Sequence, residues 1–234
     1  MPQINRIRVN NVKYNFGTQY YDDFMMRFRC RNTIYDLANG GGKSLLMLLL
    51  LQNVIPNCTL DEKQPVEKLF RPGGGNTVIH SLIEWKLDTA NNDGYKYMTT
   101  GFCARKAKDT EADGTEADGI SGRFSAAEEA PAGRDNASVE YFNYCIFYRE
   151  FGENDIKNLP LTKNGERITY NGLKQYLREL EHNDFHVSVK IFDRKGEYQS
   201  FISKYGLYES EWEIIRGINK TEGHVRTYFE TNYK

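Results

Sequence analysis

The sequence predicts an α/β fold, in which a buried helix packs on a mixed sheet beside an antiparallel β subdomain and a helical C-terminal part. A short apolar stretch at 33–35 runs into three consecutive glycines and a leucine-rich helix that ends before Pro56. Alternating apolar residues predict strands on both sides of that helix. Helical spacing of apolar residues predominates after residue 170.

The first elements of the chain are predicted to be strands. Apolar and polar residues alternate over 4–9 and again over 24–28, with a turn near residue 16 between them. The stretch 33–35 predicts a short buried strand that leads directly into the glycines. The helix that follows is apolar on all sides, which indicates burial against a sheet.

The middle of the chain predicts a hairpin followed by an insert. The cluster Asn91-Asn92-Asp93-Gly94 separates two strand-like runs, 77–87 and 95–104. Residues 107–138 contain a tandem Thr-Glu-Ala-Asp-Gly repeat and almost no large apolar side chain. Such a segment buries too little surface to offset its ordering entropy, so we expect a mobile low-complexity insert.

The last third is predicted to be mainly helical. Apolar residues recur at helical spacing in three stretches, and one alternating stretch between the first two predicts a strand. The predicted helices lie at 171–182, 198–205 and 212–218, the predicted strand lies at 187–191, and a further strand at 141–147 precedes them all.

Composition and charge are those of a globular chain. The 234 residues include 31 Lys and Arg and 32 Asp and Glu, giving a formal charge of -1. This balance excludes a globally basic nucleic-acid coat protein but allows a local basic patch. Four cysteines without a C-x-x-C pair indicate free thiols in a reducing compartment. The N-terminus lacks the apolar segment of a signal peptide, and no apolar run approaches the ~20 residues of a membrane span. We therefore expect a soluble, cytoplasmic protein.

Residues 39–45 contain the motif that carries chemistry. Gly40-Gly41-Gly42-Lys43-Ser44 lies between a predicted strand and a helix, which is the context of a phosphate-binding P-loop, although the strict pattern has glycine in place of Leu37. Glycines let backbone N–H groups turn toward phosphate oxygens, and the helix N-terminus adds positive partial charge. Lys43 would reach the β- and γ-phosphates of ATP, and the Ser44 hydroxyl would coordinate Mg²⁺. The candidate nucleotide-binding residues are Asn39, Gly40, Gly41, Gly42, Lys43, Ser44 and Leu45.

The stretch 39–44 resembles the N-G-x-G-K-S loop of the ATPase heads of structural-maintenance-of-chromosomes (SMC) proteins. Residues 4–14 resemble the first strand and following turn of such heads. The strands at 81–85 and 100–104 resemble those of the MukB and Wadjet JetC branch. The resemblance implies that residues 1–234 form the N-terminal half of an ABC-type ATPase head with the fold of P-loop NTPases.

The same resemblance implies partners. In such proteins the C-terminal half-head supplies the signature motif and the Walker B carboxylates. No apolar run here ends in Asp-Glu, and the nearest, Ile191-Phe192-Asp193, is followed by Arg194. The implied partners are the C-terminal half-head of the same protein, a second head in a homodimer, DNA and accessory kleisin-type subunits. The implied role is chromosome organisation or plasmid defence, with ATP hydrolysis only in the completed site.

Two other functions remain open at this point. One is a self-contained P-loop kinase or small NTPase, which needs a Walker B carboxylate within these 234 residues. The other is a non-hydrolysing scaffold that uses the loop only structurally.

Five arginines on the first two predicted strands form a further candidate group. Residues of one parity share a face of a strand, so two of the arginines share one face and the other three share another. They belong either to a solvated sheet face or to a surface that contacts a nucleotide or the DNA backbone. The five are Arg6, Arg8, Arg27, Arg29 and Arg31.

Overall fold

The structure is a computed structural model that describes residues 2–14, 18–60, 65–72, 76–88, 93–107, 124–125 and 139–220. Its strands are β1 (Gln3–Tyr14), β2 (Gln19–Arg27), β3 (Ile79–Lys86), β4 (Tyr97–Lys106), β5 (Phe124–Ser125), β6 (Val139–Tyr148), β7 (Thr162–Lys163), β8 (Glu166–Ile168) and β9 (Val187–Phe192). Its helices are α1 (Lys43–Leu51), α2 (Tyr170–Asn183), α3 (Lys195–Ser203), α4 (Glu209–Asn219) and a 3-10 turn at Val66–Leu69.

The central sheet has six strands in the order β2-β1-β3-β4-β6-β9, and a small second sheet has the order β5-β8-β7. Every neighbouring pair in both described sheets is antiparallel. The prediction of an α/β P-loop NTPase fold with a mixed sheet and a helical C-terminal part is therefore wrong. The described chain is mostly antiparallel sheet with four short helices.

The connections explain why the sheet is antiparallel. The chain from β2 through α1 to β3 is a crossover, and β2 and β3 run in the same direction. However, β1 lies between them, so this crossover produces no parallel pair. The stretch 33–35, which was expected to add a strand, pairs with no strand in the described part of the chain. The last third is not a helical unit, because it also supplies β9 to the central sheet and β7 and β8 to the small one.

Several individual elements agree with their predictions. The hairpin of β3 and β4, the strand β1 and the helix α2 lie where the periodicity placed them. The predicted insert at 107–138 lies outside the described residues, apart from residue 107 and β5. The four cysteines Cys30, Cys58, Cys103 and Cys145 are free thiols, as predicted. Among the described residues, no helix combines the length and the apolar character needed to cross a bilayer.

The two faces of the central sheet carry separate hydrophobic cores. Odd-numbered residues of β1 such as Ile7 pack with α1, and the same core includes Tyr198 of α3 and Trp212 of α4. The opposite face packs against α2 through Leu173 and Leu177. Helices therefore cover both faces, which explains why β3 is buried along nearly its whole length.

A buried polar network fixes the C-terminal end of α1 on the sheet. The Asn53 amide donates to the Ser81 hydroxyl at 2.9 Å, and the Thr100 hydroxyl donates to Asn53 Oδ1 at 3.2 Å. The Tyr198 hydroxyl donates to the backbone carbonyl of Asn53 at 2.5 Å. Since α1 is anchored at this end, its N-terminus and the glycine loop are held at a defined place beside the sheet.

The buried imidazole of His80 predicts a pH-dependent stability. His80 is 1% exposed, and its Nδ1 has no hydrogen-bond partner among the described residues. Burial, aided by the charge of Arg8, lowers its pKa to about 3 although Asp23 opposes the shift. The unfolded chain takes up a proton at this site below pH ~6.5, whereas the folded chain does not until pH ~3. The contribution of His80 to the free energy of unfolding is therefore fully present above pH ~6.5. It falls by about 1.4 kcal/mol for each pH unit as the pH decreases toward the pKa of the folded state.

The measurement is urea unfolding of the wild type and His80→Leu at several pH values between neutrality and pH ~4.5. We expect the free energy of unfolding of the wild type to fall more steeply with acidification than that of the variant. A difference between the two proteins that stays constant over this range would contradict the assignment of a neutral buried His80.

Candidate phosphate-binding loop

The glycine loop takes a backbone conformation that requires glycine. Gly40 and Gly42 have φ of 82° and 81°, in the left-handed region that other residues rarely adopt. Gly41 has no room for a side chain, because a Cβ there would lie 2.9 Å from the Ala38 carbonyl oxygen. The Gly41 N–H donates to that same oxygen at 2.9 Å, which closes a tight turn.

Two tyrosines from the hairpin of β1 and β2 support this turn. Tyr14 and Tyr21 stack with ring centroids 4.3 Å apart, and a Cβ on Gly42 would lie 3.2 Å from both side chains. The Tyr21 hydroxyl donates to the Gly41 carbonyl at 2.6 Å. Burial, with smaller contributions from Tyr14 and Tyr35, raises the pKa of Tyr21 to about 12, so the hydroxyl stays protonated and able to donate. Sequence reasoning missed this pair, and the register of the hairpin is the signal that could have found it.

The helix α1 begins directly at the end of the loop and has no side-chain cap. Gly42 is its N-cap residue, and its first turn contains no acidic side chain. The first N–H groups of a helix have no partner within the helix, and they attract an anion. The N-terminus of α1 therefore presents donors and positive partial charge toward the loop, as the motif predicts.

The predicted site residues fall into two groups. Asn39, Lys43 and Ser44 are exposed, and Lys43 Nζ donates to the Leu37 carbonyl at 2.6 Å. Leu45 is buried in the core, so only its backbone is available to a ligand. The lysine ammonium therefore spans the loop and lies at the same helix end as the Ser44 hydroxyl.

Two cavities flank the loop. One of about 370 Å³ is lined by Tyr14, Tyr21 and residues 37–41. The other, of about 330 Å³, includes Lys43 and Ser44 in an otherwise largely apolar wall. No aspartate or glutamate is among the described residues that line either cavity. The structure also places no group of three His, Cys, Asp or Glu side chains suited to a metal ion within its described ranges.

The stretch that precedes the loop is exposed and has no regular secondary structure. The side chain of Ile34 is 97% exposed and that of Tyr35 45%. A β-branched residue followed by an aromatic one is typical of a buried strand. Here these side chains lie at the surface next to the glycine loop.

The structure separates the five arginines. Arg8 is buried and its guanidinium is fully engaged, with both Asp23 oxygens at 2.7 Å and the carbonyls of Ile156 and Leu159 at 2.9 Å. Arg6 is buried too, and it is paired with Glu84. Neither alternative, a solvated face or a surface that contacts a nucleotide or DNA, holds for these two, because segment 151–161 covers that side of β1. The other three, Arg27, Arg29 and Arg31, are exposed.

Comparisons of the chain with models of known protein families and with curated proteins found no match.

Proposed function

We propose that residues 39–45 bind the phosphates of ATP with Mg²⁺. The observation that carries this proposal is the combination of a glycine turn, a helix end without a side-chain cap and an exposed lysine across the loop. In the turn, Gly40 and Gly42 have left-handed φ and Gly41 has no room for a side chain. This cradle fits an anionic oxygen cluster, because its donors are backbone N–H groups and an ammonium.

The roles of the residues follow from their positions. Lys43 would exchange the Leu37 carbonyl for phosphate oxygens, and the backbone N–H groups of Ser44 and Leu45 would donate at the helix end. The Ser44 hydroxyl would be the one protein ligand of Mg²⁺ in this loop. When bound, ATP supplies a phosphoryl group for transfer to water, and Mg²⁺ neutralises the charge that develops on it.

The wider role that we propose is that of the N-terminal half of an SMC-like ATPase head that acts on DNA. The sequence of the loop supports it, and so does the exposed stretch beside the loop. Ile34 and Tyr35 have a strand-like sequence and no strand partner in the described part of the chain. In this proposal a C-terminal half-head covers them and brings the missing carboxylates, a second head closes the site, and kleisin-type subunits join the complex.

Calorimetric titration of the chain with ATP and Mg²⁺ tests the proposal. Lys43→Ala is expected to weaken binding by about ten- to a hundredfold, since a hydrogen bond to a charged group contributes about 1.5–3 kcal/mol. Lys204→Ala, which removes an exposed lysine outside the loop, is the matched control and should bind like the wild type.

Two outcomes would contradict the proposal in different ways. Equal affinity of the wild type and Lys43→Ala would overturn phosphate binding and favour the structural scaffold. Phosphate release by this chain alone at about 1 s⁻¹ or faster, abolished in Lys43→Ala, would favour the self-contained NTPase.

A further inference from the structure

A third cavity, with a polar lining, lies where β1 begins and β2 ends, and we call it the basic cleft. Its volume is about 530 Å³, within the range of small-molecule sites. It is lined by Arg6, Arg27, Arg29, Lys157, Tyr97 and Phe151, among others. The glycine loop contributes none of the residues that line it.

The cleft has an excess of positive charge. Asp155 is the carboxylate in its lining, and it is already engaged by Arg6 at 3.2 Å and by the N–H groups of Lys157 and Asn158 at 2.9 and 3.0 Å. The exposed side chains of Arg27, Arg29 and Lys157 form no ion pair with any carboxylate in the described ranges. Three cations therefore face one cavity without compensation, which favours a ligand with several negative charges.

The backbone fixes the two arginines at the end of β2 beside the start of β1. The N–H groups of Phe28 and Arg29 both donate to the Asn5 carbonyl, at 2.8 and 3.1 Å, which ties the end of β2 to the start of β1. Arg29 has a left-handed φ of 55°, a strained conformation for a residue other than glycine. Arg27 and Arg6 are opposite each other in the register of the two strands.

Aromatic surface lies next to the cations. The rings of Tyr97 and Phe151 have centroids 4.8 Å apart, and the Arg6 guanidinium lies 4.4 Å from the Phe151 centroid. The side chain of Phe151 is nevertheless 54% exposed. An exposed aromatic ring beside cations that lack an ion-pair partner in the described ranges is an arrangement with which proteins bind single-stranded nucleic acids, by base stacking and phosphate contacts.

We propose that the basic cleft binds a nucleotide unit whose base is unpaired. Its phosphates contact Arg27, Arg29 and Lys157, and its base stacks on the exposed surface of Phe151 and Tyr97. The unit belongs either to a free nucleotide or to a single strand, which present the same chemistry. This site does not depend on the glycine loop, and it is retained when the loop is inactivated.

Fluorescence anisotropy with a labelled strand of about eight thymidine nucleotides tests the cleft. All proteins carry Lys43→Ala, so that the loop contributes nothing. We expect the triple variant Arg27→Gln, Arg29→Gln, Lys157→Gln to bind at least tenfold more weakly. Its logarithmic association constant should also fall less steeply with the logarithm of the salt concentration. The slope should be smaller in magnitude by about 2, since each of the three lost phosphate contacts contributes about 0.7 for a single strand. Phe151→Leu should weaken binding at least about fivefold, from the loss of stacking.

Arg194→Gln is the matched control, because this arginine is 81% exposed and outside the cleft. If AMP displaces the labelled strand, the ligand of the cleft is a free nucleotide. If the strand binds and AMP does not displace it, the ligand is a single-stranded nucleic acid. Unchanged affinity in the triple variant would overturn the proposal. Duplex DNA that binds as tightly as the single strand, with no effect of Phe151→Leu, would overturn it as well, because it would show contacts to phosphates alone.

Discussion

Replacing Glu84 by glutamine is expected to destabilise the protein by about 3–5 kcal/mol, because it removes one partner of a buried ion pair. Glu84 is fully buried. Its carboxylate accepts hydrogen bonds from Arg6 Nε at 2.7 Å and Nη2 at 2.6 Å, from the Asn5 amide at 2.7 Å and from the Tyr148 hydroxyl. The neutral amide of glutamine satisfies these donors poorly, because its nitrogen cannot accept a hydrogen bond.

The cost arises mainly at Arg6. This side chain is buried, and burial alone would lower its pKa, but Glu84 and Asp155 together raise the pKa above its ordinary value. Without Glu84 the guanidinium remains charged, with Asp155 at 3.2 Å as its nearest carboxylate. The variant therefore keeps a buried charge that is only partly compensated.

Urea unfolding of matched variants separates this effect from an ordinary loss of charge. Glu181→Gln breaks the pair with Lys190, but the two side chains are 43% and 50% exposed, so the loss should stay below about 1 kcal/mol. Replacing Glu84 and Arg6 together by methionine should cost less than Glu84→Gln, because the guanidinium is removed with its partner and the buried Asp155 still accepts from the N–H groups of Lys157 and Asn158. A loss below about 1 kcal/mol in Glu84→Gln would show that this pair does not stabilise the sheet.

Replacing Gly101 by alanine is expected to cost about 3 kcal/mol, at the upper end for an overpacked core. A Cβ at this position in β4 would lie 2.1 to 2.5 Å from three ring carbons of Tyr144. Tyr144 is opposite Gly101 in the register and fully buried, so its ring lies across the glycine and has little space to move.

The clash is testable with a double-mutant cycle in thermal or urea unfolding. Shortening the ring by Tyr144→Leu removes the atoms that the new methyl group meets, so Gly101→Ala should cost less in that background. Gly217→Ala in α4 is the control, since a Cβ there meets nothing within 4 Å and should stabilise the helix by up to about 1 kcal/mol. Equal costs of Gly101→Ala with and without Tyr144 would contradict this account.

Local patterns in the sequence were sufficient to predict many elements and the place of the loop. Three patterns predict elements that the structure contains. They are the alternation over 4–9, the turn residues that end at Gly94, and the helical spacing over 171–182. The three glycines before Lys43 predict a tight turn at a helix start, and the structure has one. These features depend on residues close together in the chain.

The structure differs from prediction where distant contacts decide the outcome. The stretch 33–35 has the composition of a buried strand, but a strand also needs a partner, and the described chain gives it none. Arg6 and Arg8 lie at alternate positions of β1, as residues on a solvated face do. However, segment 151–161, far along the chain, covers them. Alternating polar and apolar residues indicate that one face of a strand is polar, but they do not indicate which segment of the chain packs against that face.

The sequence by itself determined which stretches form strands or helices and where the glycine turn before a helix lies, because periodicity and glycine conformations act within a few residues. Only the tertiary structure decided the order and direction of the strands, because pairing joins residues far apart in the chain, as β1 and β3 show. The tertiary structure also decided which cations are neutralised. Arg6 and Arg27 are opposite each other on adjacent strands, yet only Arg6 has buried carboxylates beside it, since Glu84 and Asp155 come from other parts of the chain.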